Sequence, residues 1–259
     1  MTFRPAAAAA LALTTIVGLA AYLWPFFAHP TFSTTYGQDA PWLFAALLGL
    51  LALVLLAEVT AVGLDAKTVA VLGVLAAAGG ALRVLSAGTA GLEPIFVILV
   101  LGGRVLGRSM GFLMGALALL AGAFLTAGIG PWLPFQMLGA GWVALGAALL
   151  PRASGRVELA LLAGYGAFSG LAYGVLLNLW FWPFLSPGSA PTGAGFVPGD
   201  SPAANAGHYA VFYVTTSLGW DVPRAVLTAS LILVAGRPIL ATLRRAVRRA
   251  AFGTVARFE

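Results

Sequence analysis

Residues 110–127 read MGFLMGALALLAGAFLTA, a run of eighteen positions without a charged side chain. An α-helix needs about 20 predominantly apolar residues to cross the hydrocarbon core of a bilayer. This run therefore predicts a membrane-spanning helix. Across the whole chain 61% of residues are hydrophobic and only 8% are charged, whereas soluble domains carry about 25% charged residues. The bilayer is therefore predicted to surround most of the protein.

Seven further apolar runs accompany this one, and stretches rich in proline, glycine or charge separate them. They are 6–27, 42–63, 68–87, 94–107, 135–150, 157–183 and 222–243. The pattern predicts an all-α integral membrane protein with about eight transmembrane helices. The first run exceeds the ~7–15 apolar residues of a signal peptide, which favours a first transmembrane helix. The run 94–107 is short for a full span, so its helix is expected to tilt, to be flanked by structured loop or to be supported by neighbours.

The basic residues predict the orientation of these helices. The 14 lysine and arginine residues are dispersed between apolar runs rather than gathered on one basic face, which argues against a nucleic-acid partner. With the N-terminus in the cytoplasm, only Arg83 and Arg224 fall towards the outside, so both termini are predicted to be cytoplasmic. The predicted cytoplasmic set is Arg4, Lys67, Arg104, Arg108, Arg152, Arg156, Arg237, Arg244, Arg245, Arg248, Arg249 and Arg257.

The outer side then receives four loops, at 28–41, 88–93, 128–134 and 184–221. The last is long enough to suggest a function or disorder. Its first half is predicted to be flexible, and its second half, from His208 to Leu218, is predicted to be re-entrant or interfacial. Glycines at four-residue spacing predict close helix packing. They are Gly103, Gly107, Gly111 and Gly115, then Gly166, Gly170 and Gly174.

The chain offers little for catalysis or cofactor binding. It has no cysteine and only two histidines, His29 and His208, with no metal-binding spacing between them. Nucleotide-binding glycine motifs are missing, so any ATP is expected to be hydrolysed by another subunit. Glu58 is the one carboxylate deep in a predicted span, where it is a proton-coupling group, a partner of Lys67 or a side chain that snorkels to the cytoplasmic interface.

Polar and aromatic residues gather at the predicted outer ends of the helices. Gln136 and Asn178 lie within apolar runs, where an unpartnered polar group costs several kcal/mol. Tryptophans at this level are either interfacial anchors or the walls of a ligand pocket. The predicted substrate-binding residues are Glu93, Trp132, Phe135, Gln136, Asn178, Trp182, Asp221 and Arg224.

Three spacings within this set predict contacts. Trp132 and Gln136 are four apart and are expected to share roughly one helix face at the outer mouth. Arg83 with Glu93, and Asp221 with Arg224, are plausible ion pairs. Each pair is either a structural clamp on the outer loops or a latch that gates the ligand.

From Lys67 onward the sequence resembles the S components of energy-coupling factor (ECF) vitamin transporters, the membrane subunits that bind a vitamin and then pair with an ATPase module. The order of several motifs carries the resemblance, which covers about 67–250. They are AVLGVLAAA (70–78), GLEPIF (91–96), the glycine-rich 102–115, GPWLPFQMLGAG (130–141), TSLGWDVPRA (216–225) and GRPIL (236–240), followed by an arginine-rich tail.

The resemblance implies a six-helix substrate-binding core at 65–250, preceded by two additional N-terminal transmembrane helices at 1–64 and followed by a cytoplasmic tail at 251–259. Family members use small residues on the first core helix to dock on the scaffold subunit. Here Ala70, Gly73 and Ala77 form such a stripe, which internal packing would explain equally well. The strict Ala-xxx-Ala pair is either Ala66 with Ala70 or Ala77 with Ala81.

The resemblance also implies the partners and the ligand. Vitamin would be captured at the outer face of the bacterial cell membrane, and a scaffold transmembrane subunit with ATPase subunits would drive its release. Similarity is closest to actinobacterial members assigned to cobalamin or a related tetrapyrrole, while thiamin, riboflavin and pyrimidine precursors stay open. Two other classes also stay open: a self-sufficient secondary transporter or channel, and an intramembrane enzyme or assembly factor.

Overall fold

The computed structural model describes residues 5–27, 66–86, 90–185 and 190–251, together with the short positions 46, 48–50, 52–53 and 56. Within these ranges the chain is helical and has no strand, so the predicted all-α class is confirmed. The predicted helix 42–63, with Glu58, falls largely outside the described residues. The tail beyond residue 251 also lies outside them.

Eight α-helices occur in the described part of the chain, and all but one coincide with a predicted apolar run. They are α1 Pro5–Leu23, α2 Ala66–Val84, α3 Ile95–Leu106, α4 Arg108–Leu125, α5 Leu133–Leu149, α6 Gly155–Phe181, α7 Pro202–Thr216 and α8 Leu218–Ala251. Short 3-10 turns follow α1 at Trp24–Phe27 and α6 at Trp182–Phe184.

Four of these helical segments are long and apolar enough to cross a membrane: Ala8–Phe27, Arg108–Leu125, Gly155–Phe184 and Leu218–Arg249. The described parts of α2, α3 and α5 are apolar but shorter. Helix α3, with 12 residues, extends only about 18 Å. It is nevertheless the centre of the bundle, because α2, α4, α5, α6 and α8 all contact it and residues 99–101 are fully buried.

The glycine ladders predicted to pack helices closely do so at most positions. A Cβ at Gly103 on α3 or at Gly115 on α4 would overlap backbone carbonyls of α5, those of Ala144 and Ala140. Gly107 has a different role. With φ at 87° it forms the single-residue turn between α3 and α4, a conformation that glycine adopts without strain.

The second ladder, on α6, lies against α8. A Cβ at Gly166 would come within 2.8 Å of the Thr228 Cγ2, and one at Gly170 within 3.3 Å of the Ala225 Cα. A Cβ at Gly174 would overlap the carboxylate of Asp221. The ladder therefore decides how closely α8 approaches α6.

Helix α1 packs on the core instead of standing apart from it. The fully buried Tyr22 donates a hydrogen bond of 2.7 Å from its hydroxyl to the carbonyl of Phe135 on α5, and its ring meets the Phe135 ring edge-on. Trp142 Nε1 donates to Thr15 Oγ1 at 3.2 Å. These contacts extend the apolar core of the bundle to the N-terminal helix.

The segment after α6 is more ordered than its composition predicts. The part from His208 to Leu218, expected to be re-entrant or interfacial, lies mostly within the helix α7, and its position relative to a membrane stays a prediction. The preceding stretch 190–201, expected to be flexible, is tied down: Trp182 Nε1 donates to the Ala194 carbonyl at 2.6 Å. The Asn205 side chain also closes two hydrogen bonds on the backbone of Val197, at 3.1 and 2.9 Å. Composition indicated a loop but gave no sign of these side-chain anchors.

Consecutive helices from α2 to α6 run in opposite directions, so the bundle has one end near Arg224 and another near Glu158. At the Arg224 end, α2, α4 and α6 finish and α3, α5 and α8 begin. At the Glu158 end, the buried Glu158 carboxylate accepts hydrogen bonds from Arg104 at 3.0 Å and from Arg244 at 2.6 Å. Further arginines surround this end on exposed positions: Arg108, Arg152, Arg156, Arg245, Arg248 and Arg249.

We predict that Gly103→Ala destabilises the protein by about 1–3 kcal/mol, because the added methyl overlaps the backbone of α5 at a place where neither helix can yield cheaply. Gly164→Ala is the matched control, since nothing lies within 4 Å of a Cβ at that exposed position on α6. Thermal unfolding of the purified protein, followed by tryptophan fluorescence, measures both. Equal melting temperatures for the two variants would contradict the packing described for Gly103.

Candidate functional site

Arg224 is the centre of a buried ion network at its end of the bundle. Its side chain leaves the second turn of α8 and is only 7% exposed. Its Nη2 donates to Glu93 Oε1 at 2.6 Å, while Nη1 donates to Asp221 Oδ1 and, at 3.2 Å, to the carbonyl of Gly170. Two carboxylates therefore face one guanidinium, so the buried cation is paired, as burial of a charge in an apolar bundle requires, and the trio carries one net negative charge.

Two aromatic rings complete the environment of this guanidinium. Its central carbon lies 5.4 Å from the ring centre of Phe96 on α3 and 5.5 Å from that of Tyr173 on α6. Cations interact favourably with ring faces at such distances. Arg224 therefore joins α3, α6 and α8 through charge, a backbone carbonyl and aromatic faces at once.

Tyr213 of α7 lies at the edge of this network. Burial raises the pKa of its hydroxyl above the ordinary value, and the nearby Asp221 carboxylate adds to the shift. The phenol is therefore neutral at physiological pH. Helix α7 thus presents an uncharged polar group to the Asp221 side of the network.

A cavity of about 360 Å³ lies beside the network, which forms one of its walls. Its size falls within the range of roughly 300–1,000 Å³ that small-molecule pockets occupy. Charged and polar side chains meet apolar ones on its surface. It is lined by Arg83, Ser86, Glu93, Ile95, Phe96, Leu99, Leu119, Thr126, Gln136, Tyr173, Leu177 and Arg224.

Arg83 occupies a wall of the cavity formed by α2 and α5. It leaves the last turn of α2, and its Nη2 donates to Gln136 Oε1 at 2.7 Å. Its aliphatic stem lies against α4 at Gly122, where a Cβ would come within 2.5 Å of the Arg83 Cδ. Gly122 therefore makes room for the stem, and Gln136 orients the head.

The structure brings four of the predicted substrate-binding residues together. Glu93, Gln136 and Arg224 line the cavity, and Asp221 contacts Arg224 from behind it. The predicted Asp221–Arg224 ion pair is present. The predicted pair between Arg83 and Glu93 is not: Glu93 lies just before α3, where Arg224 reaches it, and Arg83 turns to Gln136 instead.

The other four predicted residues lie elsewhere. Phe135 is buried against Tyr22 and Trp180 in the core. Trp182 is fully buried in a separate aromatic cluster with Phe196 and Tyr209. These aromatic side chains fill space between helices, so neither forms a wall of the cavity.

Asn178 and Trp132 are also occupied by structural contacts. The Asn178 amide donates to the Gly174 carbonyl at 2.8 Å, and its oxygen accepts from the Ser217 hydroxyl at 3.0 Å. Trp132 is partly exposed and donates from Nε1 to the Gly128 carbonyl at 3.1 Å. Gln136 lines the cavity and Trp132 does not, because the Trp132 ring turns back onto the Gly128–Gly130 turn.

Several cavity residues were missed by the sequence interpretation. Phe96, Leu119 and Tyr173 look like ordinary apolar positions of their runs, and nothing in their spacing singles them out. Arg83 carried a signal, because a charged residue inside an apolar run is a functional candidate by default. The sequence nevertheless predicts only an ion pair with Glu93 for this residue.

The small-residue stripe on α2 faces away from the rest of the described bundle. Ala70, Gly73 and Ala77 are exposed, and nothing described lies within 4 Å of a Cβ at Gly73. The packed face of α2 is the opposite one, where Gly79 and Gly80 lie against Ala118 and Ala121 of α4. Contacts with α4 therefore do not explain the stripe.

We predict that Arg224→Met lowers the free energy of unfolding by about 3–5 kcal/mol, because it leaves two carboxylates without their cation. Arg237→Met is the matched control on the same helix, since Arg237 is exposed and makes no ion pair among the described residues. Denaturation of both purified variants by heat tests this. Equal stability of the two variants would show that the Arg224 network does not stabilise the fold.

Comparisons with protein-family models, curated proteins and solved structures found no match for this chain.

Proposed function

We propose that this protein is the substrate-binding membrane subunit of an ATP-driven vitamin importer, an S component of the energy-coupling factor type. The observation that carries the proposal is the cavity: a space of about 360 Å³ in a largely apolar helical bundle, lined by charged, polar and apolar side chains together. Ionisable groups within membrane-embedded helices mark substrate or ion pathways. The sequence resemblance supplies the class of importer.

In this proposal the Arg224 end faces outward and the arginine-rich Glu158 end faces the cytoplasm. The distribution of charge supports the orientation, because six exposed arginines at the Glu158 end follow the positive-inside rule. Helix α8, with 34 residues, is about 51 Å long and would extend beyond the hydrocarbon core on that side. The chain would then span the bacterial cell membrane about eight times, with both termini in the cytoplasm.

Capture and energy use would be separate tasks in this scheme. The vitamin enters the cavity from outside and is held without covalent chemistry. A scaffold transmembrane subunit docks on the exposed stripe of Ala70, Gly73 and Ala77, and ATPase subunits drive release to the cytoplasm. Small residues suit such docking because they let two helix backbones approach closely.

A self-sufficient secondary carrier is the main rival. Such a carrier needs an ion-coupling group near the middle of the membrane. The carboxylates of Glu93, Asp221 and Glu158 are each paired with arginine, which disfavours them as proton carriers. The cavity volume also favours a compact vitamin or precursor over cobalamin, which is considerably larger.

We predict that proteoliposomes containing only this chain bind a radiolabelled vitamin in a saturable way but do not concentrate it. The panel comprises thiamin, riboflavin, nicotinate, biotin, pantothenate and cyanocobalamin, with ATP inside or outside and with or without proton and sodium gradients. Protein-free liposomes are the control. Accumulation of the vitamin inside the proteoliposomes above its external concentration would contradict the S-component proposal and favour the secondary carrier.

A further inference from the structure

Arg83 is unusual among the buried and half-buried arginines that the structure describes. Arg104, Arg224 and Arg244 each form an ion pair with a carboxylate. Arg83 forms none, and the one side-chain acceptor it contacts in the described ranges is Gln136 Oε1. A guanidinium has five N–H donors, so Arg83, which lines the cavity, retains donors for a ligand there.

Specific contacts hold the Arg83 side chain in this position. Gly122 leaves room for the stem of the side chain, and Gln136 fixes its head from the first turn of α5. The C-terminal end of α2 favours a cation, but such an effect is modest and falls off within one turn. It does not replace a counter-charge in a membrane-embedded bundle, where an unneutralised arginine is costly.

We propose that the cavity takes a compact organic acid, whose carboxylate binds the Arg83 guanidinium beside Gln136. The inference rests on the proposed function, whose substrate class it specifies. Guanidinium and carboxylate match in a planar, two-hydrogen-bond geometry, which makes this pairing both strong and directional. The incoming carboxylate supplies the counter-charge that Arg83 otherwise lacks.

The remaining walls define the rest of the ligand. Ile95, Leu99, Leu119 and Leu177 offer an apolar surface for a hydrocarbon or ring body. Glu93 also lines the cavity and carries the charge opposite to that of Arg83. One of its carboxylate oxygens is bonded to Arg224, and its side chain is 28% exposed. It is placed to accept a hydrogen bond from a donor on the ligand, such as an amide N–H or a hydroxyl.

The charges of Arg83 and Glu93 disfavour a dianionic or a cationic ligand. A phosphate dianion would bring a second negative charge towards Glu93 with only one unpaired guanidinium to neutralise it. A cation would meet Arg83 directly. Glu93, Asp221, Arg224 and Arg83 together carry no net charge without a ligand, so a monoanionic carboxylate adds a single negative charge that its contact with Arg83 compensates locally, whereas a phosphate dianion adds two.

Matched pairs of probes test this inference on the full chain in lipid nanodiscs. The acids are nicotinate, biotin and pantothenate, and their uncharged counterparts are nicotinamide, biotinamide and pantothenol. Thiamin serves as a cation, riboflavin as a neutral molecule and cyanocobalamin as a bulky one. Calorimetry measures affinity, and tryptophan fluorescence on heating confirms that each variant is folded.

We expect at least one acid to bind at least tenfold more tightly than its uncharged counterpart. Arg83→Gln should abolish that preference, Arg83→Lys should retain part of it, and the exposed control Arg237→Gln should leave it unchanged. The comparison of acid with amide uses the wild-type chain, so it holds even if a variant does not fold.

Other outcomes separate the two proposals. Tight binding of riboflavin, thiamin or cyanocobalamin that Arg83→Gln leaves unaltered would overturn the carboxylate inference and keep the proposed function. An acid that binds equally well to the wild type and to Arg83→Gln would also overturn the inference. Failure of every probe to bind the folded wild-type protein would contradict both.

Discussion

The contact between Arg224 and its two carboxylates is the constraint on which the rest of the bundle depends. A guanidinium buried among apolar helices is stable only if it is neutralised and its donors are used. Glu93 and Asp221 supply the charge, and the Gly170 carbonyl takes a further hydrogen bond. Because these groups come from the turn that leads into α3, from α6 and from α8, pairing Arg224 fixes three helices against one another and sets one wall of the cavity.

A second network holds the same three helices at the opposite end. Glu158 of α6 accepts from Arg104 of α3 and from Arg244 of α8. Arg104 also donates to the carbonyls of Leu150 and Pro151, at 2.8 and 2.9 Å, which ties the end of α5 to this network. The glycine ladder of α6 lies between the two networks and allows α8 to approach.

Helix α2 stands outside both ion networks. Glycine packing against α4 and the hydrogen bond from Arg83 to Gln136 hold it in place. In the proposed mechanism this one helix carries the ligand contact, Arg83, and on another face the docking stripe of Ala70, Gly73 and Ala77. A ligand that pairs with Arg83 would therefore act on the same element that the partner subunit contacts, which provides a physical route between capture and coupling.

Much of this architecture was predictable from local sequence, because its physical causes are local. Uninterrupted apolar runs predicted every described helix except α7, and the three-residue spacing of Asp221 and Arg224 predicted their ion pair. The partner of Glu93 could not be predicted. Arg83 is nearer in sequence, but Arg224, 131 residues away, is nearer in space because α8 packs on α6 and α3. Trp182 and Phe135 looked like ligand walls and proved to be core, since aromatic composition does not distinguish the two.

The central claim is that the cavity opens to the outside while the arginine-rich end faces the cytoplasm. The absence of cysteine from the chain makes a direct measurement possible with single substitutions. Thr126→Cys places a thiol on the cavity wall, and Ser154→Cys places one on an exposed site at the Glu158 end. In intact cells, a membrane-impermeant maleimide should label Thr126→Cys and should label Ser154→Cys only after the cells are permeabilised. Labelling of Ser154→Cys in intact cells, with Thr126→Cys protected, would contradict the account.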